Sequence, residues 1–490
     1  MVKTIILGLD GADLDIIKNA GNKLPNLNNL LKGGAHANFN STIPPITIPA
    51  WISMFTGKNP AKIRTLSFRR VVKSKKGYTS TIAEPTWRGA MLWDYLSKSG
   101  YKVAVINVPG TYPAWKVNGI MISGFPSPKI STYPPKLADE LPKDEFGEED
   151  VINVFKKLDF MRHQTEKIID LTLFLAEKKF DLVISVLRIT DVYLHHTSKL
   201  SELLEAYKIV DNNLTQIVNL VEGDYDYLFI VSDHGAKPVK RKFYSNTWLS
   251  QENYLKFEIE LSKKAKFTSK IANFLASKGM KKMVWTVFYY LQKGRLKSVR
   301  KLIGSEDVMN IIDWDKTSAF MFGLSGVDSF ELWIIDKSRE TEILRKLSVL
   351  KDGANNVVKA IFKSKELYGD CPNDFPDYIV QLNDGYSNVL GQGVDVFTPA
   401  TGFIHRREGT FLAYGQDVKK GYYAGTLEIT DLTPTILHLF EVSIPKETDG
   451  RVVKEIFNES SEFVARDIKY EDEKEEIKRR IHKLISTGKI

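Results

Sequence analysis

Two fragments of the sequence pair an aspartate with a histidine at spacings suited to one cation. Asp233 and His234 directly follow an apolar run and precede a glycine, where two adjacent ionisable groups have little structural reason to occur. Asp191 and His195 are four residues apart, so they share one face if the chain turns into a helix there. The first pair favours metal ligation, whereas the second fits a helix cap followed by a surface histidine equally well.

Thr47 stands at the predicted start of a helix. Pro49 suits the first turn of that helix, because backbone N–H groups there make no hydrogen bond within the helix and the missing N–H of proline costs nothing. Gly57 suits the end of the helix. The free N–H groups and the dipole of such a terminus favour an anion, and a hydroxyl beside a cation could attack phosphorus. Taken alone, the fragment is explained better if Thr47 is only a helix cap.

Two more residues complete the set of candidate ligands. Asp10 ends the first apolar run, at the edge where open α/β sheets bind ligands, although an Asp-Gly pair is also a common turn. His405 has a loop-like setting before a later strand. Cys371 is the single cysteine, which excludes a thiolate-rich zinc site. Three aspartates, three histidines and Thr47 predict a two-metal site for phosphoryl transfer, with Zn²⁺ as the expected ion and Mn²⁺ or Fe²⁺ also compatible.

Short apolar runs that alternate with helical patterns must position these residues. The alternation predicts a doubly wound, mostly parallel α/β sheet with helices on both faces. The predicted strands are Thr4–Leu9, Lys102–Asn107, Leu182–Leu187, Tyr227–Ser232 and Phe411–Tyr414, and the predicted helices are Met91–Ser99, His163–Lys179, Lys199–Val221 and Thr433–Phe440.

Residues 255–394 break this rhythm and predict an inserted, smaller α+β cap. The catalytic α/β domain would then comprise 1–254 and 395–457, and 458–490 would form a charged C-terminal helix. Within the cap, 262–301 holds twelve Lys and Arg and no Asp or Glu, so subtracting it from the net charge of +9 leaves −3 for the rest of the chain. We interpret this basic segment as a solvated helical face, with peripheral contact to an anionic surface as the alternative.

No apolar run approaches the roughly 18 residues of a membrane-spanning helix. The start of the chain has a short apolar stretch without a small-residue cleavage site, so we expect a cytoplasmic protein. The oligomeric state stays open.

With these fragments in this order, the sequence resembles the type I phosphodiesterase/nucleotide pyrophosphatase family of the alkaline phosphatase superfamily, in its prokaryotic and archaeal branch. The resemblance runs from Ile5 to about Ile456. The matching motifs are Thr47-x-Pro49-x-Trp51, Ser232-Asp233-His234-Gly235, Asn246-Thr247-Trp248-Leu249, Asp313-Trp314 with Thr317, Glu366 to Gly369, His405-Arg406 with Gly409, Asp431 to Leu437 and Thr448-Asp449-Gly450-Arg451.

The resemblance implies an alkaline-phosphatase-like fold and a hydrolase of small phosphoesters, nucleotides among them, with no specific nucleic-acid partner. Thr47 would be the nucleophile, would bridge toward one of two metal ions and would form a phosphothreonine. The implied ligands are Asp191, His195 and His405 for one ion, and Asp10, Asp233 and His234, with Thr47, for the other.

The chain departs from the family pattern after Pro60. Relatives usually carry a His-Gly pair there, but this sequence reads Ala61 to Arg64. We predict that Arg64 contacts a substrate phosphate instead, with Arg69 and Arg70 as further candidates. Asn107 resembles a family position near the site and is predicted to hydrogen-bond a non-bridging oxygen.

Other functions on the same fold have to be weighed. A sulfatase would need Cys-x-Pro-x-Arg, and Cys371-Pro372 places the proline one residue early. A phosphomonoesterase or phosphomutase stays open, because metal ligands do not distinguish monoesters from diesters. An inactive protein that binds an anion or a membrane is the second alternative, and the complete set of ligands argues against it.

Overall fold

A computed structural model describes residues 2–141, 154–258 and 305–472 of the chain. The basic segment 262–301 and the tail beyond residue 472 lie outside these residues, so what we predicted for them stays a prediction. Within the described ranges, no helix has both the length and the apolar character needed to cross a bilayer.

The described residues form strands and helices that we number in chain order. The strands are β1 (Thr4–Leu9), β2 (Ala35–Asn40), β3 (Arg69–Ser74), β4 (Gly77–Ile82), β5 (Val103–Val108), β6 (Gly119–Ser123), β7 (Thr132–Tyr133), β8 (Leu182–Leu187), β9 (Tyr227–Val231), β10 (Gly235–Tyr244), β11 (Ala319–Phe322), β12 (Ser329–Ile334), β13 (Lys351–Asp352), β14 (Asn355–Asn356), β15 (Val358–Lys363), β16 (Tyr378–Leu382), β17 (Gly385–Val389), β18 (Phe397–Pro399), β19 (Phe403–Arg406), β20 (Glu408–Gly415), β21 (Tyr422–Glu428), β22 (Ile444–Pro445) and β23 (Tyr470–Glu471). The α-helices are α1 (Leu14–Ala20), α2 (Pro25–Gly33), α3 (Thr47–Thr56), α4 (Leu92–Lys98), α5 (Leu137–Glu140), α6 (Val154–Glu177), α7 (Ile189–His196), α8 (Leu200–Gly223), α9 (Ser245–Gln251), α10 (Glu340–Ser348), α11 (Ser364–Tyr368), α12 (Leu432–Leu439) and α13 (Glu462–Ala465). Short 3₁₀ turns cover Gly21–Lys23, Ser305–Ile311, Trp314–Lys316, Lys337–Arg339 and Ile429–Asp431.

The largest sheet has nine strands in the order β21-β2-β20-β9-β1-β8-β5-β6-β7. Its centre, β9-β1-β8-β5-β6, is parallel, whereas β20 runs antiparallel to both β9 and β2. Four of the predicted strands form β1, β5, β8 and β9 in this parallel centre, with ends that differ by at most one residue. The predicted doubly wound, mostly parallel sheet is confirmed.

Helices cover this sheet on both faces because its central strands are apolar on both. Ile6 points into a cluster with Trp51 of α3 and Ile436 of α12. The next residue, Leu7, points to the other face, where Leu214 of α8 packs. Burying each such side chain stabilises the fold by about 1.5–3 kcal/mol, so both helical layers are held by the sheet.

Besides the main sheet, the described residues form two four-stranded sheets and the two-stranded pairs β3-β4, β13-β14 and β22-β23. The long strand β10 pairs with β17, β18 and β19. Strands β11-β12-β16-β15 form a fully antiparallel sheet with its own core, which includes Phe320, Phe330 and Val380. This sheet lies within the range 255–394 that we predicted to be an inserted cap, and the domain boundaries themselves stay a prediction.

Two predictions of local structure are wrong. His405 is not in a loop but in strand β19, because an antiparallel pairing with β10 extends the chain there. The predicted helix over 458–490 does not form in its described part, which contains only the short helix α13 before β23 pairs with β22. Charged composition suggested a solvated helix, but the buried ring of Phe463 packs against that of Phe457, with centroids 4.2 Å apart and planes tilted by 39°, and ties this part to the core.

Candidate active site

Three neighbouring parallel strands deliver candidate ligands to one edge of the main sheet. In the order β9-β1-β8, the carboxyl end of β1 is followed by Asp10, and the backbone N–H of Asp10 donates to Leu187 O at the end of β8 over 2.9 Å. Asp233 lies just after β9, and helix α7 begins right after β8. Parallel strands end at the same edge, so residues far apart in sequence meet there.

An antiparallel pairing of two strands that are distant in sequence brings the remaining histidine to this edge. Strand β19 is antiparallel to β10, with His405 opposite Ala236. The ring of His405 therefore stacks on the ring of His234, with centroids 3.6 Å apart and an interplanar angle of 15°. Both histidines are almost fully buried.

Asp191, His195 and His405 form a compact group of potential ligand atoms. His195 Nε2 lies 3.1 Å from Asp191 Oδ1, and His405 Nε2 lies 3.4 Å from the same oxygen. The two Nε2 atoms are 3.0 Å apart. Ligands at about 2.0–2.1 Å from a tetrahedral Zn²⁺ lie roughly 3.3 Å from one another, so this triangle fits one ion.

Asp10, Asp191 and His234 form a second group that shares Asp191 with the first. His234 Nε2 lies 3.6 Å from Asp10 Oδ1 and 3.9 Å from Asp191 Oδ1. Asp233 Oδ2 is closer, at 3.4 Å from the same nitrogen. The sequence placed Asp191 in one group only, whereas in the fold it faces both.

Backbone carbonyls orient two of the rings. His405 Nδ1 is 2.7 Å from Pro45 O, and His234 Nδ1 is 3.1 Å from Gly235 O. Because a carbonyl can only accept, Nδ1 carries the proton in each ring and Nε2 keeps its lone pair for a ligand.

The group contains buried polar atoms that need a partner. Within residues 2–141, 154–258 and 305–472, Asp10 Oδ1, Asp191 Oδ1, Asp233 Oδ2 and His234 Nε2 make no hydrogen bond that is acceptable in distance and angle. A buried acceptor without a partner is costly, and carboxylates that crowd one another are costlier. Divalent cations would give all four atoms a partner, so the residues fit a metal centre.

The protonation behaviour of the carboxylates reflects the same crowding. Burial and the nearby Asp191 raise the pKa of Asp10 to about 7. Burial and Asp10 raise the pKa of Asp233 well above its usual range. Burial also acts to raise the pKa of Asp191, but His195 and His405 outweigh it and hold that pKa well below its usual range. Burial lowers the pKa of His234, so this ring is neutral and its Nε2 could serve as a ligand.

Thr47 is the first residue of helix α3 and is 5% exposed. The cap position is Ile46, so the helix does not use the Thr47 hydroxyl as its N-cap. One turn further, Trp51 Nε1 donates to Asp10 Oδ2 over 3.4 Å, while the preceding Pro45 accepts from His405. The start of α3 is thereby held between the two groups of ligands.

The two predicted substrate residues have partners within the protein. Asn107, half-buried at the end of β5 with φ +57°, donates through Nδ2 to Val186 O over 2.8 Å. Arg64 donates to both carboxylate oxygens of Asp374, at 3.0 and 3.2 Å. Arg64 therefore meets an acidic residue of the predicted cap, and its role toward a phosphate stays a prediction.

The sequence did not single out Trp51 for its N–H, nor Arg188. Arg188 is the first residue after β8, and its charge lowers the pKa of Asp10, so it lies near the candidate ligands. The position of Arg188 in the sequence could have indicated this. Like Asp10, it directly follows a buried strand at the edge of the sheet where ligands bind.

Comparison with known proteins agrees with this architecture. A sequence profile of the family "Type I phosphodiesterase / nucleotide pyrophosphatase" matches residues 4–292, more than half of the chain. The match includes the fragments up to His234 and ends before His405. No curated protein sequence matches.

Solved structures of two relatives show the same fold. The murine ectonucleotide pyrophosphatase/phosphodiesterase 5 is 13% identical with a TM-score of 0.52, over 90% of this chain and 96% of the murine one. The human ectonucleotide pyrophosphatase/phosphodiesterase 5 is also 13% identical with a TM-score of 0.52, over 93% of this chain and 100% of the human one. These structures confirm the predicted alkaline-phosphatase-like fold, and the family profile confirms the resemblance. The chain therefore belongs to the type I phosphodiesterase/nucleotide pyrophosphatase family, a family of phosphoester hydrolases.

Proposed function

We propose that this protein hydrolyses small phosphoesters with two divalent cations and a phosphothreonine intermediate on Thr47. The observation that supports this best is the convergence of six candidate ligands from four segments of the chain beside the start of helix α3. The family adds nucleotides as a plausible class of substrate.

The candidate ligands divide between the two ions as the family resemblance implies. We assign Asp191, His195 and His405 to one ion and Asp10, Asp233 and His234 to the other. Zn²⁺ is the proposed ion, because the set contains only oxygen and imidazole ligands, which Mn²⁺ and Fe²⁺ also accept. When bound, the two cations would lower the pKa of the attacking hydroxyl and offset charge on the phosphoryl oxygens in the transition state.

Thr47 performs the covalent step in this proposal. Its hydroxyl loses a proton to solvent and its oxygen attacks phosphorus. A new O–P bond forms as the bond to the leaving oxygen breaks, and that oxygen takes up a proton from solvent. Water then attacks the phosphothreonine, which releases the phosphoryl group and returns a proton to the Thr47 oxygen. The N–H groups of Thr47 and Ile48 lie at the positive end of the α3 dipole, which favours the anionic substrate beside this hydroxyl.

The fixed rings of His405 and His234 keep their Nε2 atoms directed at the site without reorganisation. The bond from Trp51 to Asp10 holds one carboxylate beside the turn of α3 that carries Thr47. Preorganised groups of this kind avoid the energy of rearranging the site during the reaction.

The test compares hydrolysis of nitrophenyl phosphate and bis(nitrophenyl) phosphate by the wild type and Thr47→Ala, with and without a chelator. We expect chelation to abolish activity and Thr47→Ala to lower it by at least about 1000-fold, because the nucleophile is lost. Thr56→Ala is the matched control, since Thr56 is equally buried at the other end of α3.

Acid quenching followed by mass spectrometry should find phosphate on Thr47. Turnover retained in Thr47→Ala would contradict the mechanism. Anion binding that needs no metal, without any turnover, would favour the inactive alternative.

A further inference from the structure

We propose that the predicted cap, residues 255–394, fixes the position of the segment that leads into Thr47 through Tyr368, which is therefore a positioning residue. This inference rests on the proposed function, in which Thr47 is the nucleophile. It also gives a role to the motif Glu366 to Gly369, which the sequence singled out and which contains no candidate ligand. Two hydrogen bonds and an apolar cluster shared by the two parts of the chain support it.

Tyr368 lies where the predicted cap meets the predicted catalytic domain. It is the last residue of α11 and is 7% exposed. Gly369 follows with φ +78°, a conformation that favours glycine, so the helix ends directly after the tyrosine. The ring packs in a small apolar cluster with Ile43 of the catalytic domain and Ile379 of β16. This packing restrains the ring and therefore the place of its hydroxyl.

The first hydrogen bond joins Tyr368 to the segment that leads into α3. Its hydroxyl donates to the backbone carbonyl of Ile43, four residues before Thr47. Between these two residues the chain makes a tight turn, in which the Ile46 N–H donates to Pro44 O over 3.0 Å. Because the connection is short and constrained, a displacement of the Ile43 carbonyl would also displace the Thr47 hydroxyl.

The same segment is held on either side of Ile43 by the catalytic domain. The Ser41 N–H donates to Arg407 O over 2.8 Å, and Pro45 O accepts from His405 Nδ1 over 2.7 Å. Both partners lie in or directly after β19. Ile43, between these two anchors, is bound by the cap instead. The position of the start of α3 thus depends on both parts of the chain.

The second hydrogen bond joins Tyr368 to the segment that follows α3. Asn59 Nδ2 donates to Tyr368 O over 3.1 Å. Asn59 Oδ1 accepts from the N–H groups of Ala61 and Lys62, at 3.0 and 3.2 Å, so the amide has its Nδ2 toward the cap. One residue of the cap therefore bonds to the chain on both sides of helix α3.

The ion pair of Arg64 with Asp374 joins the same two parts but contributes less. Its side chains are 46% and 42% exposed, and ion pairs so open to solvent add little to stability. Ile43 is only 7% exposed, so loss of the tyrosine hydroxyl would leave its carbonyl without this buried donor. Tyr368 is accordingly the residue of this contact whose replacement should be felt at Thr47.

Tyr368→Phe tests this role, because phenylalanine keeps the ring in the apolar cluster and removes only the hydroxyl. We expect kcat for nitrophenyl phosphate to fall about 10-fold while KM stays within about 2-fold of the wild type. A misplaced nucleophile slows the chemical step without weakening the binding of substrate. Elemental analysis should find the same metal content as in the wild type.

Tyr225→Phe is the matched control. Tyr225 is 2% exposed, and its hydroxyl also donates to a backbone carbonyl, that of Phe180, over 2.8 Å. It lies just before β9, whereas Asp233 lies just after that strand, so it is at the edge of the main sheet away from the site. Both variants should lower Tm by a similar amount, about 1–3 °C, but Tyr225→Phe should keep kcat within about 2-fold.

Hydrogen exchange followed by mass spectrometry gives a readout that needs no turnover. In peptides that cover residues 41–50, exchange should be at least about 3-fold faster in Tyr368→Phe than in the wild type, and unchanged in Tyr225→Phe. This measurement decides whether Tyr368 holds the segment even if Thr47→Ala stays active and the threonine mechanism fails.

An unchanged kcat in Tyr368→Phe would overturn the inference, and so would unchanged exchange in residues 41–50. The inference would also be wrong if Tyr225→Phe lost as much kcat, because the effect would then be a general loss of stability. A loss of metal in Tyr368→Phe in proportion to its loss of kcat would equally count against it.

Discussion

Two adjacent residues of strand β19 enter opposite kinds of charged environment. His405 points into the candidate metal centre, where several buried carboxylate oxygens lack hydrogen-bond partners among the described residues. Arg406 points to the other side of the strand, where Nη1 lies 2.6 Å from Asp15 Oδ2 and Nε lies 3.0 Å from Glu408 Oε2. The first region collects charges of one sign, and the second matches each charge with its opposite.

This difference distinguishes a candidate binding site, around His405, from a structural ion-pair network, around Arg406. The network around Arg406 is complete within the protein, and Asp13 in it also accepts backbone N–H groups of Asp15 and Ile16 to cap α1. The acidic group beside His405 leaves Asp10 Oδ1, Asp191 Oδ1 and Asp233 Oδ2 without a hydrogen-bond partner among the described residues. Buried charged groups without partners in the protein therefore indicate a binding site for a ligand. Charged groups that pair with one another indicate a structural role.

The largest effect is expected from the carboxylate that both groups of ligands share. Asp191→Asn removes a negative charge without changing the shape of the side chain. Because Asp191 faces both groups, we expect loss of bound metal and a fall in kcat/KM of at least about 1000-fold. Metal analysis and nitrophenyl ester hydrolysis measure both effects. If the variant kept its metal content and its rate, the group around His405 would not differ in function from the network around Arg406.

The metal-free protein should respond to pH through Asp10. Burial raises its folded pKa to about 7, above the value of 3.8 for an unperturbed carboxyl. Below pH 3.8 both folded and unfolded states hold the proton, so stability is highest there with respect to this group. As pH rises from 3.8 to 7, unfolding releases that proton, and stability should fall by a few kcal/mol, since one pKa unit is worth about 1.4 kcal/mol.

Denaturant unfolding of chelated protein across this range measures the effect. At pH 7, added Zn²⁺ should offset this loss of stability and stabilise the fold by about 2.7 kcal/mol at 100 times its Kd. Chelated Asp10→Asn measures the pH dependence that comes from all other groups. If the chelated wild type, after this contribution is subtracted, is as stable at pH 7 as at pH 4, the prediction is wrong.

A smaller effect is expected from Trp51→Phe, which keeps the aromatic ring in the core but removes the N–H directed at Asp10. We expect a fall in kcat/KM of about 10-fold or less, because the bond is long at 3.4 Å and one such bond is worth about 1 kcal/mol. Steady-state kinetics at saturating metal measure it. A loss as large as that of Asp191→Asn would mean that the ring of Trp51 matters for more than this bond.

The smallest effect on catalysis is expected from Arg406→Met. Removal of the guanidinium breaks pairs that are partly exposed, with 29% of the Arg406 side chain accessible, so the cost in stability should be about 1 kcal/mol. Activity should stay within about 2-fold of the wild type. Thermal unfolding and ester hydrolysis measured together distinguish this outcome from one in which both regions serve the reaction.

Local sequence predicted the parallel core and most of the candidate site. Strands β1, β8 and β9 are short, apolar on both faces and followed at once by polar residues, and this pattern is visible without a fold. The pairs Asp191 with His195 and Asp233 with His234 are close in sequence, so a helical turn or a single strand end suffices to bring each pair together. The order of the motifs then indicated the family that the sequence profile confirms.

Only the tertiary structure decided how these fragments meet. His405 reaches His195, 210 residues away, because β19 pairs with β10 in one register. That register also stacks His405 on His234 and places Pro45 O against its Nδ1. Asp191 faces both groups because neighbouring strands end together. Sequence determines which side chains stand at the ends of the strands, but contacts between distant strands depend on sheet order and register, which only the packed core fixes.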